Sequence, residues 1–460
     1  MNGTHLLEKR LLNFKEKGET KRISDLLKEI REMIEMDDFD PSRLERIKRG
    51  YKEIPVEKRP IFFKELIEKV ETSKKDIEWL LREALSIKEG DPRWSRILTD
   101  IRSRVESPRI KLFKNFINIS EGLKFLLDLR MDILSIQRKD ELDLGPVDQD
   151  LTYLFNSWFQ NGFLVLQEIT LDSPYRQINY IQRHDMVHPM TTLEEMGRRL
   201  GFDRRCFALY HRAMADEPVV FIEVALTKGI IRSIHEIIDK EPEREATEDN
   251  FDTAIFYSIN NTQEGLTGIG LGKVLIFQVV DYIKKTVPTI RTFSTLSPIP
   301  GFWKNYLKMI LEGDDSSFLM KRHKLIDLFS ERSRLAIERE LKKQKGIEPK
   351  DFGEVLLEVL SDKGWIENPV YLKHLQKPME DITYFYITKE KGKKGRPLNP
   401  VANFHMSNGA QVSKNCVNFL GNRSSRGLEE SCGMMVNYIY SQSWFQQIKR
   451  SIRGLFSSSP

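Results

Sequence analysis

The chain lacks most of what marks a metal, disulfide or membrane protein. It holds three cysteines, Cys206, Cys416 and Cys432. None stands at a Cys-x-x-Cys spacing, which argues against a zinc site or a disulfide framework and leaves reduced thiols of the cytoplasm as the expectation. No apolar run is long enough to span a bilayer, and residues 1–10 lack the apolar core of a signal peptide, so an intracellular protein with no membrane segment is expected. A dominant charge is missing too: 73 basic against 68 acidic residues leave +5 and a pI of 8.8. That surplus is too small for a nucleic-acid face, though it suits an anionic small molecule. The end, Ser457-Ser458-Ser459-Pro460, carries no peroxisomal tripeptide and reads as a frayed tail.

What remains is a chain of 460 residues, 40% hydrophobic, enough for two or three domains. Residues 1–158 are charged and helical in pattern. Leu26, Leu27, Ile30 and Ile34 line one helix face, and Pro41, Pro55, Pro60, Pro92 and Pro108 cut the text into helices of ordinary length. With no glycine-rich loop and no cluster of histidines and carboxylates there, scaffolding or self-association is expected of this part. Residues 159–460 alternate helical text with strand-like runs at 163–166, 206–210, 219–226, 254–259 and 384–387, bounded by polar or turn residues. The fold expected is α+β, a helical bundle followed by a mixed domain. The stretch 349–377 reads as a small helical insertion, and 389–396 as a basic loop.

Two features carry chemistry. The first is Ser297, at the end of a strand-like run that stops in Ser-Pro-Ile-Pro-Gly-Phe; proline restricts its predecessor and so aims the serine. About a hundred residues on, Asn399-Pro400-Val401-Ala402-Asn403-Phe404-His405 places a histidine in a similarly punctuated run. The second is the glycine-rich passage after the strand 254–259, with Gly265, Gly268, Gly270 and Gly272 leading into the helical text 274–280. Glycines let backbone amides approach an anion, and a helix N-terminus adds the equivalent of about half a positive charge. No Gly-Lys-Ser/Thr ends the passage, so it is not a Walker loop. A glycine-rich connection that needs only tight turns remains the alternative. The spacing Gly270-x-Gly272-x-x-Leu275 resembles the pyrophosphate loop of the GNAT N-acetyltransferases, with Thr267 in place of the usual Gln or Arg. His188 and His211 read as hydrogen-bonded structural histidines and Cys206 as an apolar filler in a buried strand.

Taken together, the runs Phe256-Tyr257-Ser258-Ile259, Thr262-Gln263-Glu264-Gly265-Leu266, Leu296 to Phe302, Asn399 to His405, Asn408-Gly409-Ala410 and Asn437-Tyr438-Ile439-Tyr440 resemble malonyl-CoA decarboxylase. His188-Pro189, Arg204-Arg205-Cys206 and Glu217-Pro218 match as well, and the resemblance covers most of residues 150–445. It implies an acetyltransferase-like (GNAT) catalytic domain behind a helical domain used in self-association, hence a homo-oligomer, dimer or tetramer. It implies malonyl-CoA as substrate and no metal or organic cofactor. By motif, Ser297 and His405 are the catalytic pair, with Ser258 and Tyr440 supporting them. Thr267, Gly268, Ile269, Gly270, Leu271, Gly272 and Lys273 form the coenzyme-binding loop. One departure stands out: some family members carry a glutamate where this chain has Gly270, and Glu264 is a candidate to replace it. The rival expectations are a GNAT-type acyltransferase and a non-catalytic malonyl-CoA sensor.

Overall fold

Proline and capping residues divide the helical half where the sequence suggests. Asp40 caps α2 by accepting from the Ser42 and Arg43 amides, with Pro41 in the first turn. Ser107 and Pro108 start α6 in the same way. The computed structural model describes residues 2–36, 39–72, 74–88, 90–140, 142–241, 247, 250–347, 349–392 and 395–441. Ser457 to Pro460, expected to fray, lie outside them.

The first half consists of α1 (Asn2–Met36), α2 (Pro41–Lys52), α3 (Arg59–Lys69), α4 (Lys74–Ser86), α5 (Trp94–Val105), α6 (Pro108–Phe116), α7 (Gly122–Asp140) and α8 (Gly145–Trp158). At 35 residues α1 is longer than expected, because no proline interrupts it. Ile23, Leu26, Leu27, Ile30 and Met33 supply its buried stripe.

The strands are β1 (Leu164–Ile169), β2 (Arg204–His211), β3 (Met214–Thr227), β4 (Thr253–Asn261), β5 (Thr292–Thr295), β6 (Ser297–Pro298), β7 (Ala410–Gln411), β8 (Val417–Asn418), β9 (Met435–Val436) and β10 (Ile439–Tyr440). Seven form one sheet in the order β1-β2-β3-β4-β5-β10-β7, and three form another in the order β6-β9-β8. β4 and β5 run parallel, with Phe256 opposite Thr295. They are joined through the glycine passage and the helix Leu271–Thr286, the strand, turn and helix unit that the acetyltransferase resemblance requires. β10 is antiparallel to β5, with Tyr440 opposite Phe293.

One expectation fails. The run Tyr384 to Ile387 is not a strand; it lies in the helix Pro369–Thr388, whose buried residues include Leu375, Met379, Ile382, Thr383, Tyr386 and Ile387. That spacing is helical, so tertiary burial of one face overrides the strand preference of aromatic and β-branched residues.

Two compact units emerge from the packing. One comprises Met1–Val165, Tyr210–Val219 and Asn261–Leu271; the other comprises Leu166–Leu209, Val220–Asn260 and Gly272–Pro460. The turn into β3 and most of the glycine passage thus belong with the helices. No helix among the described residues is long and apolar enough to cross a membrane.

Candidate active site

Ser297 stands where the chain leaves one sheet for the other. The Leu296 amide still bonds the Phe256 carbonyl at 3.0 Å, whereas Ser297 already pairs with Val436 of β9. Alternation puts Thr295 and Ser297 on one face, and the Ser297 hydroxyl donates to Thr295 Oγ1 at 2.9 Å. Thr295 is itself fixed: the Tyr438 amide donates to its Oγ1 at 3.1 Å and Asn437 Nδ2 to its carbonyl at 2.6 Å.

His405 sits in the last turn of the helix Pro400–Ser407. Asn399 caps that helix through the Val401 and Ala402 amides, and its Nδ2 donates to the Pro300 carbonyl at 3.2 Å. One asparagine therefore ties the histidine helix to the loop that follows the serine. His405 Nε2 lies 3.2 Å from Ser297 Oγ, and Nδ1 lies 2.9 Å from the Tyr440 hydroxyl. The imidazole stacks on Tyr438 at 4.8 Å between ring centres. All three side chains are buried, Ser297 at 6%, His405 at 4% and Tyr440 at 3% exposure. Burial pulls the His405 pKa down to about 3 and pushes the Tyr440 phenol up. At neutral pH the group is a chain of uncharged donors and acceptors.

Ser258, expected beside them, is engaged elsewhere. Its hydroxyl donates to Asp185 Oδ1 at 2.9 Å and accepts from Asn260 Nδ2 at 2.7 Å. Asp185 Oδ2 meets Arg199 Nη1 at 3.0 Å, and Glu223 Oε2 meets the same nitrogen at 3.1 Å. One guanidinium thus faces two buried carboxylates and cannot neutralise both. Burial works against the Asp185 carboxylate, yet the His188 amide, Arg199 and the Ser258 hydroxyl keep its pKa below the usual range. For Glu223, burial and the neighbouring Asp185 raise the pKa to about 8, so it holds the proton. Among the described residues, none pairs with Glu223 Oε1, the Tyr257 hydroxyl or His188 Nε2.

In the expected coenzyme loop, Thr267 to Lys273, the Thr267 and Ile269 amides donate to the Glu264 and Leu266 carbonyls and so fold the passage into tight turns. Gly268 and Gly270 both take φ of +85° with open space where a Cβ would stand. Only glycine adopts such angles readily, so the residue replacing the family glutamate goes with a particular backbone shape. Leu271, Gly272 and Lys273 open the following helix, where amides have no intrahelical acceptor. Gly272 packs closely, since a Cβ there would lie 3.0 Å from the ring tip of Phe404, the neighbour of His405. Glu264 is exposed, and its carbonyl accepts from the Thr267 hydroxyl at 2.7 Å. In the helical unit, Arg130 Nη1 of α7 donates to the Gly265 carbonyl at 2.6 Å and the Thr267 carbonyl at 2.9 Å. A Cβ on Gly265 would lie 2.2 Å from the Leu127 carbonyl. The loop is therefore seated flush on α7.

His211 is structural as expected, its Nε2 bonding the Trp158 carbonyl while Nδ1 accepts from the Ala213 amide. His188 is buried, and that burial lowers its pKa to about 4. Cys206 is fully buried, which pushes its thiol pKa up, as befits a filler. Sequence reasoning missed Thr295, Arg130 and the Asp185–Arg199–Glu223 group. The alternation Thr295-x-Ser297 and the lone acid inside the apolar run 219–226 were usable signals; Arg130, one of many charges on a helix, offered none.

The family description "Malonyl-CoA decarboxylase C-terminal domain" matches residues 162–450, more than half of the chain, and "Malonyl-CoA decarboxylase N-terminal domain" matches residues 74–159. This chain belongs to the malonyl-CoA decarboxylase family. Over 340 residues it is 36% identical to "Malonyl-CoA decarboxylase, mitochondrial" of Anser anser anser, an alignment covering 73% of this chain and 64% of that protein. The Mus musculus protein of the same name is also 36% identical, with 72% and 65% covered. The chain thus spans slightly less than two thirds of the length of these curated relatives. The crystal structure of malonyl-CoA decarboxylase from Rhodopseudomonas palustris is similar over 94% of this chain and 96% of that one, with a TM-score of 0.74 and 29% identity. The serine, the histidine and the glycine loop all fall within the part matched by the family's C-terminal domain.

Proposed function

We propose that this chain decarboxylates malonyl-CoA to acetyl-CoA and CO2 through an enolate, with Ser297, His405 and Tyr440 as its polar machinery. The observation that carries the reading is the buried, uncharged chain of hydrogen bonds from Tyr440 through His405 to Ser297. In malonyl-CoA the carboxylate is β to a thioester, so breaking the bond to CO2 leaves an electron pair that spreads onto the thioester oxygen. The protein must hold the carboxylate out of the thioester plane, donate to that oxygen as charge develops, and return a proton to carbon. A preorganised donor at such an oxygen is worth roughly 3–4 kcal/mol, and a positioned general acid about two to four decades of rate.

A neutral imidazole polarises the thioester oxygen through its N–H. The enolate carbon, a stronger base than imidazolate, then takes that proton as Tyr440 passes its own to the ring, and the phenolate recovers a proton from solvent. When substrate binds, Ser297 turns its hydrogen from Thr295 Oγ1 to the departing carboxylate and orients it. Thr267 to Lys273 hold the coenzyme pyrophosphate, and Ser258 supports the acyl site from its network with Asp185. The chemistry calls for neither metal nor organic cofactor. Self-association through the helical half belongs to the same proposal, supported by Trp79, Leu85, Trp94 and Leu98, which stay exposed on α4 and α5; a monomer in sedimentation would remove it. So does a cytoplasmic location, read from the cysteine usage, although the goose and mouse relatives are named as mitochondrial.

The test is to incubate chelator-treated protein with malonyl-CoA and no acceptor, following acetyl-CoA and CO2 together. Equal release of both, lost in His405→Ala and Ser297→Ala, is expected. Binding with malonyl-CoA left intact would favour a sensor, and turnover only with an added amine an acyltransferase. Near-normal turnover in either variant would remove that residue from the mechanism.

A further inference from the structure

Thr295 lies outside every motif assigned above, yet it decides where the hydrogen on Ser297 points. The serine has one hydrogen, and it goes to Thr295 Oγ1 at 2.9 Å. The 3.2 Å contact between Ser297 Oγ and His405 Nε2 must then take its hydrogen from the ring. A neutral imidazole carries one N–H, so with Nε2 protonated its Nδ1 is an acceptor, and the Tyr440 hydroxyl at 2.9 Å is the donor that meets it. We propose that Thr295 is a positioning residue which, by taking the serine hydrogen, holds His405 in the Nε2–H tautomer and aims that hydrogen at the acyl site.

Thr295 is suited to this because it cannot turn away. Its amide bonds the Tyr438 carbonyl at 2.9 Å, its carbonyl accepts from Asn437 Nδ2, and its Oγ1 accepts from the Tyr438 amide. The same Tyr438 presents its ring to the imidazole face, so oxygen and ring are set by one rigid crossing of β5 and the β9–β10 connection. The hydrogens run in one direction, from Tyr440 to Nδ1, from Nε2 to Ser297, and from Ser297 to Thr295. Without the Thr295 oxygen, Ser297 would turn its hydrogen to Nε2 and the ring would carry Nδ1–H. Its nitrogen on the serine side would then be a lone pair, unable to donate to a developing oxyanion.

This inference rests on the decarboxylase reading for its rate effect but not for its structural content. The first measurement is therefore made on the full-length wild-type protein without substrate, with 15N-labelled histidine and the His405 signals assigned by their loss in His405→Gln. A protonated Nε2 with an unprotonated Nδ1 is expected; the opposite pattern overturns the proposal, and this needs no variant to fold. Thr295→Val, nearly isosteric, should move His405 towards Nδ1–H and lower kcat by about tenfold or more with KM for malonyl-CoA within about twofold, while Thr295→Ser restores both. An unchanged His405 pattern in Thr295→Val, or a Thr295→Ser protein as impaired as Thr295→Val, overturns it. If no preparation decarboxylates malonyl-CoA but the tautomer still switches in Thr295→Val, the assigned role of Thr295 stands and the decarboxylase reading falls.

Discussion

Replacing Tyr440 by phenylalanine removes one atom from the site and leaves its packing intact. The ring stays wedged edge-on to Phe256 at 6.5 Å and to His405 at 6.2 Å, while the 2.9 Å bond to His405 Nδ1 disappears. The nitrogen is then stranded in a buried setting, at a cost of about 1–3 kcal/mol. In the proposed reaction that bond matters most as Nε2 gives up its hydrogen and the ring gathers negative charge, so the cost falls mainly on the transition state. Converted at about 1.4 kcal/mol per decade, kcat should drop roughly 5- to 150-fold. KM should change little, because the phenol touches the imidazole rather than the coenzyme. The assay is initial-rate release of CO2 from malonyl-CoA across a range of substrate concentrations, with a circular dichroism melt to verify folding. A kcat within threefold of wild type, or a loss carried by KM, would refute the reasoning.

Three further outcomes follow from the geometry. Arg130→Met strips two carbonyls of the glycine loop of their donor, each such bond being worth about 1.5–3 kcal/mol; KM should rise at least tenfold with kcat nearly unchanged, and an unaltered KM would count against the loop's role. Gly270→Ala forces a side chain onto a φ of +85°, costing about 1–2 kcal/mol, so isothermal titration with coenzyme A should show roughly 5- to 30-fold weaker binding. Glu223 has its pKa raised from 4.5 to about 8 in the folded state. Its contribution to stability is therefore complete below about pH 4.5 and is lost as pH climbs to about 8, at roughly 1.4 kcal/mol per pH unit. Urea unfolding of Glu223→Gln against wild type should show this as a difference that grows over that window and then levels off; parallel curves would contradict the assigned proton.

How far the sequence could be read depended on whether the signal was local. The helical half was legible because prolines and caps act on their own neighbours, as at Asp40-Pro41 and Ser107-Pro108. Ser297 and His405 were legible as motifs, and β5, β6 and the capped histidine helix bring them within 3.2 Å of each other. The Tyr384 to Ile387 run misled because its strand preference is local while its burial is set by a helix face that runs back to Leu375. Ser258 could be seen, but not its engagement with Asp185, 73 residues away in sequence. Arg130 was invisible for the same reason: its partners lie 135 and 137 residues along the chain.

The seating of Gly265 on the Leu127 carbonyl bears on how this protein could be taken apart. Family boundaries place residues 74–159 and 162–450 in separate domains, which invites expression of the second alone. Such a fragment would carry a glycine loop cut from its floor, with the Gly265 and Thr267 carbonyls no longer held by a guanidinium and the backbone free to wander. A cut drawn by ancestry would separate the loop from the Arg130 guanidinium and the Leu127 carbonyl on which it is seated.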